Sequence, residues 1–476
     1  MSERALAPPH ELIERALAAS RLEDCVVIVE ERSEAEVRFA NNTTTTSGVR
    51  RDRQLAVVSF RGLGPGDDPA DPAAVGTAVG VASRSGDVDP VDLVRASEAD
   101  ARHASVAEDA ASLVVSGAGA HGRDFAAPAP ATSASELAPL TDELAGAFER
   151  ARGAGHVLAG FATFGTTTTF LGTSTGLRRR FVQPEGTVEL VARAADGSRS
   201  AWVGRGTEHP PDVDLGAMER TVLERLGWAQ RSVALPAGRY EVLLPPDAVA
   251  DLMVPLSDAM SGRDAQDGRN AFAAPGGGTR VGEAIAELPF ELRGDPAEPG
   301  LQCAPFLASA VSGPDVSVFD NGLPLGRTRW LEAGRVARLR YHRAGAAAAG
   351  VEPAPPVGNL TLELPGSTVS LEAMVAGTRR GLLLTCLWYI REVDPVSLLL
   401  TGLTRDGVFL VEDGEVVGAV NNFRFNESPL GVLARATEAG RSERALSREW
   451  HEWAPRTAMP PLRVADFNMS SVSPAT

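Results

Sequence analysis

Three aspartates, Asp247, Asp251 and Asp258, fall within the stretch RYEVLLPPDAVADLMVPLSDAMSG at positions 239–262. Carboxylates are hard oxygen ligands, so their first chemical meaning is metal binding. The stretch reads as a strand from Tyr240 through Leu244, a Pro-Pro turn, and an amphipathic helix over Asp247–Met260. Val249, Leu252, Met253 and Leu256 recur at spacings of three and four and predict one buried face. The aspartates lie elsewhere on the cylinder, where a solvated carboxylate is the expectation. Pro255 in mid-helix predicts a kink or a break.

The densest polar cluster on strands is TRDGVFLVEDGEVVGAVNNFRFNESPL, positions 404–430. Arg405, Asp406, Asn421, Asn422 and Arg424 are candidate contacts to a peptide or a partner there; they could equally be turn caps and surface ion pairs, worth little each. GTSTG at 172–176 matches the GxSxG nucleophile elbow, which needs a strand–turn–helix. Its flanks read as strand–turn–strand, so Ser174 is expected to be a hairpin serine. PGGGTRVGE at 275–283 lacks the GK[ST] of a phosphate loop and is expected to be a plain loop. His10 and His451 are each followed by Glu, but neither has a second histidine one helical turn on, and His342 has no ligand partner nearby in sequence. No metal site is visible in these patterns.

Composition narrows the classes further. The formal charge is −16, against the basic surface that nucleic-acid binding requires. All 46 basic residues are arginine, which excludes mechanisms that need a lysine. The three cysteines, Cys25, Cys303 and Cys386, are far apart, form no CxxC, and are expected to be small buried hydrophobes. No run of 18 apolar residues suggests a membrane span, and the first residues lack the pattern of a signal peptide, so a cytoplasmic location is expected.

Strand-like runs with turn residues recur along the chain and predict an α+β fold rich in antiparallel sheet with flanking helices. Two strand meanders share an echo, NNTTTTSGVRRDRQLAVVSF beside TTTTFLGTSTGLRRRFVQPEGTVELV. It is either a half-repeat or a coincidence of strand and turn chemistry, with Gly48 and Gly176 as candidate positive-φ turn residues. Asp89 and Pro90 mark a helix start, and Asp413-Gly414 a hairpin. The expected division is an N-terminal α+β domain with both meanders over 1–232 and a strand-rich domain over 233–476 that carries the Asp247–Met260 helix.

The order of YEVLLPPDAVADLM, RVGEAIAELPFELRGDPAEPGL, VSVFDNGLPLGRTRWLEAGRVARLRYHRAGA and GLLLTCLWYIREVDPVSLLLTGLTRDGVFLVEDGEVVGAVNNFRF resembles the TldD/PmbA family across nearly the whole chain. The resemblance is strongest at GDP, FDNGLPLGRTRWLEAGRV and VEDGEV. That family pairs two related subunits. The TldD-like subunit holds zinc through HExxxH and a later cysteine, and the complex degrades or trims peptides. The helix here supplies neither histidine nor the glutamate, and Cys386 is the last cysteine, so none stands next to PPLRV, where the resemblance would place the later one. The resemblance is therefore to the metal-free TldE/PmbA side. It implies a non-catalytic subunit whose Asp247, Asp251 and Asp258 stand on a degenerate active-site helix. No cofactor is then expected on this chain; zinc is expected on a TldD-like HExxxH partner, with a peptide as substrate. The alternatives are a stand-alone homodimeric binding or structural protein, and an enzyme using Ser174 or Cys386.

Overall fold

The structure, a computed structural model, describes residues 7–63, 76–115 and 124–473. The first sheet is built from β1 (Asp24–Ala40), β2 (Thr43–Leu63), β3 (Gly76–Ser85), β4 (His156–Thr173), β5 (Arg178–Ala194) and β6 (Ser200–Thr207), in the order β3-β2-β1-β4-β5-β6. Every pairing in it is antiparallel. The fold is thus α+β with large antiparallel sheets, as the strand patterns predict.

The sheet order reveals a repeat. Helix α1 (Pro9–Ala19) precedes β1–β3 and α2 (Pro90–His103) follows them; α3 (Ala138–Gly153) precedes β4–β6 and α4 (Leu215–Trp228) follows. Two α-β-β-β-α units therefore meet back to back at β1 and β4. The threonine runs are not its signature: Thr43–Thr46 open β2, while Thr166–Thr169 lie within β4, which corresponds to β1. Of the two glycines assigned to turns, Gly176 has φ 92 in the β4–β5 hairpin. Gly48 instead sits inside β2, and the β1–β2 turn is made by Asn41 and Asn42 at φ 51 and 57. Asparagine visits this region more readily than most residues, and Asn42 is held there by donating to His156 O and accepting from the Leu158 amide.

Alternation along β1 explains why this sheet is buried on both faces. Val27 and Val29 pack with Leu12 and Ile13 of α1 and Leu93 and Val94 of α2. Ala35, Val37 and Phe39, in the same alternation, pack under α3 and α4. Val26 and Ile28 point the other way and meet Phe306, Val318 and Phe319 of the C-terminal half. Asp89 caps α2 by accepting from Val91 N at 3.0 Å.

The remaining strands lie in 232–472 and form two further sheets. One has six strands, with Glu291–Gly294 and Leu360–Glu363 at its centre; the other has ten, with Gly238–Leu244 between Leu462–Val472 and Arg380–Leu384. Helix α5 (Pro246–Asp258) is packed between them: one core joins Leu252 and Met253 to Leu292 and Met459 on one side and Val242 and Leu382 on the other. The Asp413-Gly414 hairpin is present, at φ 50 and 87. Among the described residues no helix is long and apolar enough to cross a membrane.

Helix α2 reaches β3 most closely at Gly80, where an added Cβ would lie 2.1 Å from Ser97 O and 2.2 Å from Ala101 N. Both are helix backbone atoms, and neither can yield locally. Gly80→Val is expected to lower stability by about 3 kcal/mol, at the upper end of overpacking costs. Chemical denaturation measures it; an unchanged midpoint would refute this account of the α2 contact.

Candidate functional site

Helix α5 follows the strand Gly238–Leu244, with Pro246 at its first turn. The amphipathic expectation fails here, because the helix is covered nearly all round: Ala248, Val249, Ala250, Leu252, Met253, Val254 and Leu256 are all buried. The aspartates divide. Asp258 keeps a side chain 71% exposed, as solvated carboxylates do, while Asp247 and Asp251 are only 7% and 1% exposed. Their cover comes from the segment 446–451, some 200 residues later, which sequence periodicity cannot reveal.

Asp251 Oδ1 accepts from Ser447 Oγ at 2.7 Å and from the Glu449 amide at 2.9 Å. Asp247 Oδ1 accepts from the Leu446 amide at 2.9 Å, and Arg205 stands 3.8 Å from Oδ2. Burial pushes the Asp251 carboxyl well above the usual carboxylate range, and its hydrogen bonds only partly oppose this. Burial raises Asp247 too, with Arg205 as the main opposing influence.

Pro255 does not break the helix, which runs unbroken through it to Asp258. Proline cannot donate to the carbonyl four residues back, which is that of Asp251. Trp450 Nε1 donates to that carbonyl at 2.9 Å and replaces the lost bond.

A second polar joint adjoins the first. The Arg448 guanidinium lies between the Trp202 and Trp388 rings, 5.0 and 4.8 Å from their centroids. Its Nη1 donates to Cys386 Sγ at 2.6 Å and to Asp406 Oδ2 at 2.8 Å. Ser200 Oγ donates to the other oxygen of Asp406. Burial pushes the Cys386 thiol up to about 12, against the pull of Arg448. At neutral pH it is protonated and a poor nucleophile.

The polar cluster at 404–430 is brought together in part. Asp406, Asn421 and Asn422 line one cleft of about 490 Å³ with Arg199 and Ser232. Asn421 Oδ1 is engaged by the Leu235 amide. Arg405 lies beside Asp406 at 3.8 Å, and Arg424 is not among the lining residues but donates to Thr401 Oγ1. Ser174 sits in the β4–β5 hairpin, donating to Asp24 and accepting from Cys25 N, with no helix following. His342 caps the helix Arg343–Ala349, and His451 packs on Phe161.

A larger cleft, about 560 Å³, was not anticipated from the sequence. It opens at the C-terminal end of α5 and is lined by Asp258, Asp264, Arg269, Glu392, Leu400 and Trp450 among others. The two tryptophans of EWHEW were the available signal: Trp450 lines this cleft, and Trp453, 84% exposed, lines a smaller one on the other side of Asp258.

Residues 237–471 match the PmbA/TldA metallopeptidase C-terminal domain. The chain belongs to the TldD/PmbA family. Three crystal structures share its fold. TldE from Thermococcus kodakarensis is 16% identical with a TM-score of 0.75, the alignment covering 97% of this chain and 99% of that one. A proposed modulator of DNA gyrase from Thermotoga maritima is 18% identical at 0.73, covering 96% and 99%. One from Bacteroides thetaiotaomicron is 14% identical at 0.68, covering 97% and 98%. No curated protein sequence matches the chain.

The family's zinc does not fit the donors on this helix. Asp247 and Asp251 are engaged by 446–449, and α5 offers no imidazole. Among the described residues no three His, Cys, Asp or Glu side chains are grouped to hold a metal ion.

The raised Asp251 carboxyl sets a pH dependence. An acid whose folded-state value exceeds its unfolded value favours folding at low pH and loses that contribution as pH rises through the folded value. Asp251→Asn keeps an acceptor for Ser447 and Glu449 but does not titrate, so its unfolding free energy should fall less than wild type's above about pH 4. Asp251→Ala should lose about 1–3 kcal/mol by leaving the buried Glu449 amide unpaired. Denaturation curves across pH measure both. Parallel wild-type and Asn profiles would refute the linkage.

Proposed function

We propose that this protein is a non-catalytic, TldE-like subunit of a heterodimeric zinc peptidase. It supplies part of a chamber wall and helps bind an extended peptide beside a TldD-like HExxxH partner that carries the zinc. One observation carries this reading: on the helix that the resemblance matches to the family's zinc-binding one, the two innermost carboxylates are turned inward as hydrogen-bond acceptors for 446–449. A group so engaged, and favoured in its protonated form by burial, is a poor metal ligand, since ligands bind deprotonated.

The 560 Å³ cleft at the open end of that helix is of ligand-binding size. Asp258, Glu392 and Trp450 give it acidic and aromatic character suited to a peptide side chain. The cleft with Asp406, Asn421 and Asn422 is a second candidate contact, on the seam with the first sheet. Use of Cys386 as a nucleophile is disfavoured by its burial and protonation, and use of Ser174 by its hairpin setting. A stand-alone homodimeric binding protein is the remaining alternative.

Reconstitution separates these. The chain alone should neither retain stoichiometric zinc nor cleave an unstructured peptide. Co-expressed with a TldD-like HExxxH subunit it should co-purify, with roughly one zinc per pair bound through the partner's ligands, and cleavage should appear. Zinc-dependent cleavage by this chain alone would overturn the proposal, as would failure to pair with any such subunit.

A further inference from the structure

The cleft at the C-terminal end of α5 is unbalanced in charge. Two arginines bear on its acidic residues, and each is shared between two carboxylates. Arg269 lies 2.7 Å from Asp264 and 2.8 Å from Asp267, and Arg340 lies 3.4 Å from Asp258 and 3.5 Å from Asp315. Glu392, which lines the cleft from the strand Leu387–Asp394, has no cation at all. Among the described residues nothing bonds or pairs with its carboxylate.

Irregular backbone sets the place of Glu392. The pairing of its strand with Leu399–Thr404 shifts register twice, between Trp388 and Arg391 and again between Glu392 and Asp394. Bulges re-aim side chains and are common beside functional sites. Tyr389, inside the first shift, has φ 53, where a bulky residue is strained. Glu449 holds it there, accepting from the Tyr389 amide at 2.8 Å and from Arg391 at 2.7 Å. The next residue, Trp450, lines the cleft, and its Nε1 is fixed on Asp251 O. One segment thus positions both the acid and the ring before any ligand arrives, which lowers the ordering cost of binding. Pro255, Pro395 and Leu400 supply apolar wall beside them.

An apolar ligand here would cover Glu392 without giving it a partner, and an anion would be repelled by it. A cation on an aliphatic stem suits every part. Its methylenes lie along the prolines and the leucine, its charge meets the carboxylate, and an aromatic face attracts it further. We infer that this cleft is the subsite for an arginine or lysine side chain, with Glu392 selecting positive charge and Trp450 as the aromatic wall. Assigning that side chain to a bound peptide rests on the subunit reading above; the preference for a cation rests on the cleft itself.

Ligand-observed NMR titration of the full-length chain tests this with Nα-acetyl-arginine amide, Nα-acetyl-lysine amide and the neutral Nα-acetyl-citrulline amide. The two cations should bind with a Kd of about a millimolar, tenfold tighter than citrulline, as one exposed ion pair and one cation–π contact together allow. Glu392→Gln should weaken both cations about fivefold and leave citrulline unchanged. Glu392 is exposed, so this change spares the fold. Glu149→Gln, on the exposed side of α3, removes the same charge elsewhere from a chain of net charge −16 and should change nothing. Equal binding of arginine and citrulline overturns the inference. So does a Glu392→Gln chain that binds the cations as wild type does, or one that loses no more than Glu149→Gln. If the probes bind as stated but no TldD-like subunit pairs, the subunit reading fails and the subsite stands. If a reconstituted pair cleaves peptides while the probes show no charge preference, the subsite alone fails.

Discussion

Much of this structure depends on one constraint: helix α5 is buried nearly all round, so every polar group on it must be met by protein. Two carboxylates and one carbonyl orphaned by Pro255 would each cost about 1–3 kcal/mol if left unpaired. The segment 446–450 meets all three, through the amides of Leu446 and Glu449, the Ser447 hydroxyl and the Trp450 indole. Its path is therefore fixed by α5, and the side chains it carries are delivered to fixed places. Arg448 enters the slot between Trp202 and Trp388, and His451 stacks near Phe161 and Glu189. Glu449 binds the Tyr389 amide and Arg391 of the neighbouring hairpin.

This chain of contacts joins the first sheet to the C-terminal half. Trp202 and Ser200 belong to β6, while Cys386, Trp388 and Asp406 come from the ten-stranded sheet or its connections. Arg448 is the piece common to both, held by a carboxylate, a thiol sulfur and two aromatic faces. Arginine suits the place because its planar, weakly hydrated cation stacks and donates at once, which a lysine cannot do. Buried without Asp406 it would be an uncompensated charge, so the two are best regarded as one unit.

Elements whose signals are local were legible in the sequence. Asp89 with Pro90 marks the start of α2, and Asp413-Gly414 is the hairpin turn that its residue types require. GTSTG was recognisable as a turn because its flanks alternate like strands. Elements that depend on distant partners were not. The solvated expectation for Asp247 and Asp251 followed from their place opposite the apolar residues, but periodicity states only which face is apolar, not what covers the other one. Gly48 was misassigned to a turn because Asn41-Asn42, six and seven residues earlier, had already made it. The five-element repeat was obscured by threonine runs that fall at non-equivalent positions.

The match to a metallopeptidase domain and the fate of the aspartates are two sides of the same physics. A catalytic helix needs polar groups that face a water-accessible site and remain free to bind metal or move protons. A structural helix needs the same groups consumed. Asp251 stands at the extreme of the second condition, with two donors on one oxygen and burial favouring its neutral form. Converting this helix to a metal site would require more than introducing histidines. It would leave the Ser447 hydroxyl and the Glu449 amide without their acceptor, and so loosen the segment that holds Arg448 and ties the two halves together. The carboxylates of this helix are thus committed to structure: the groups that could have bound a metal are the ones that hold the segment 446–449 in place.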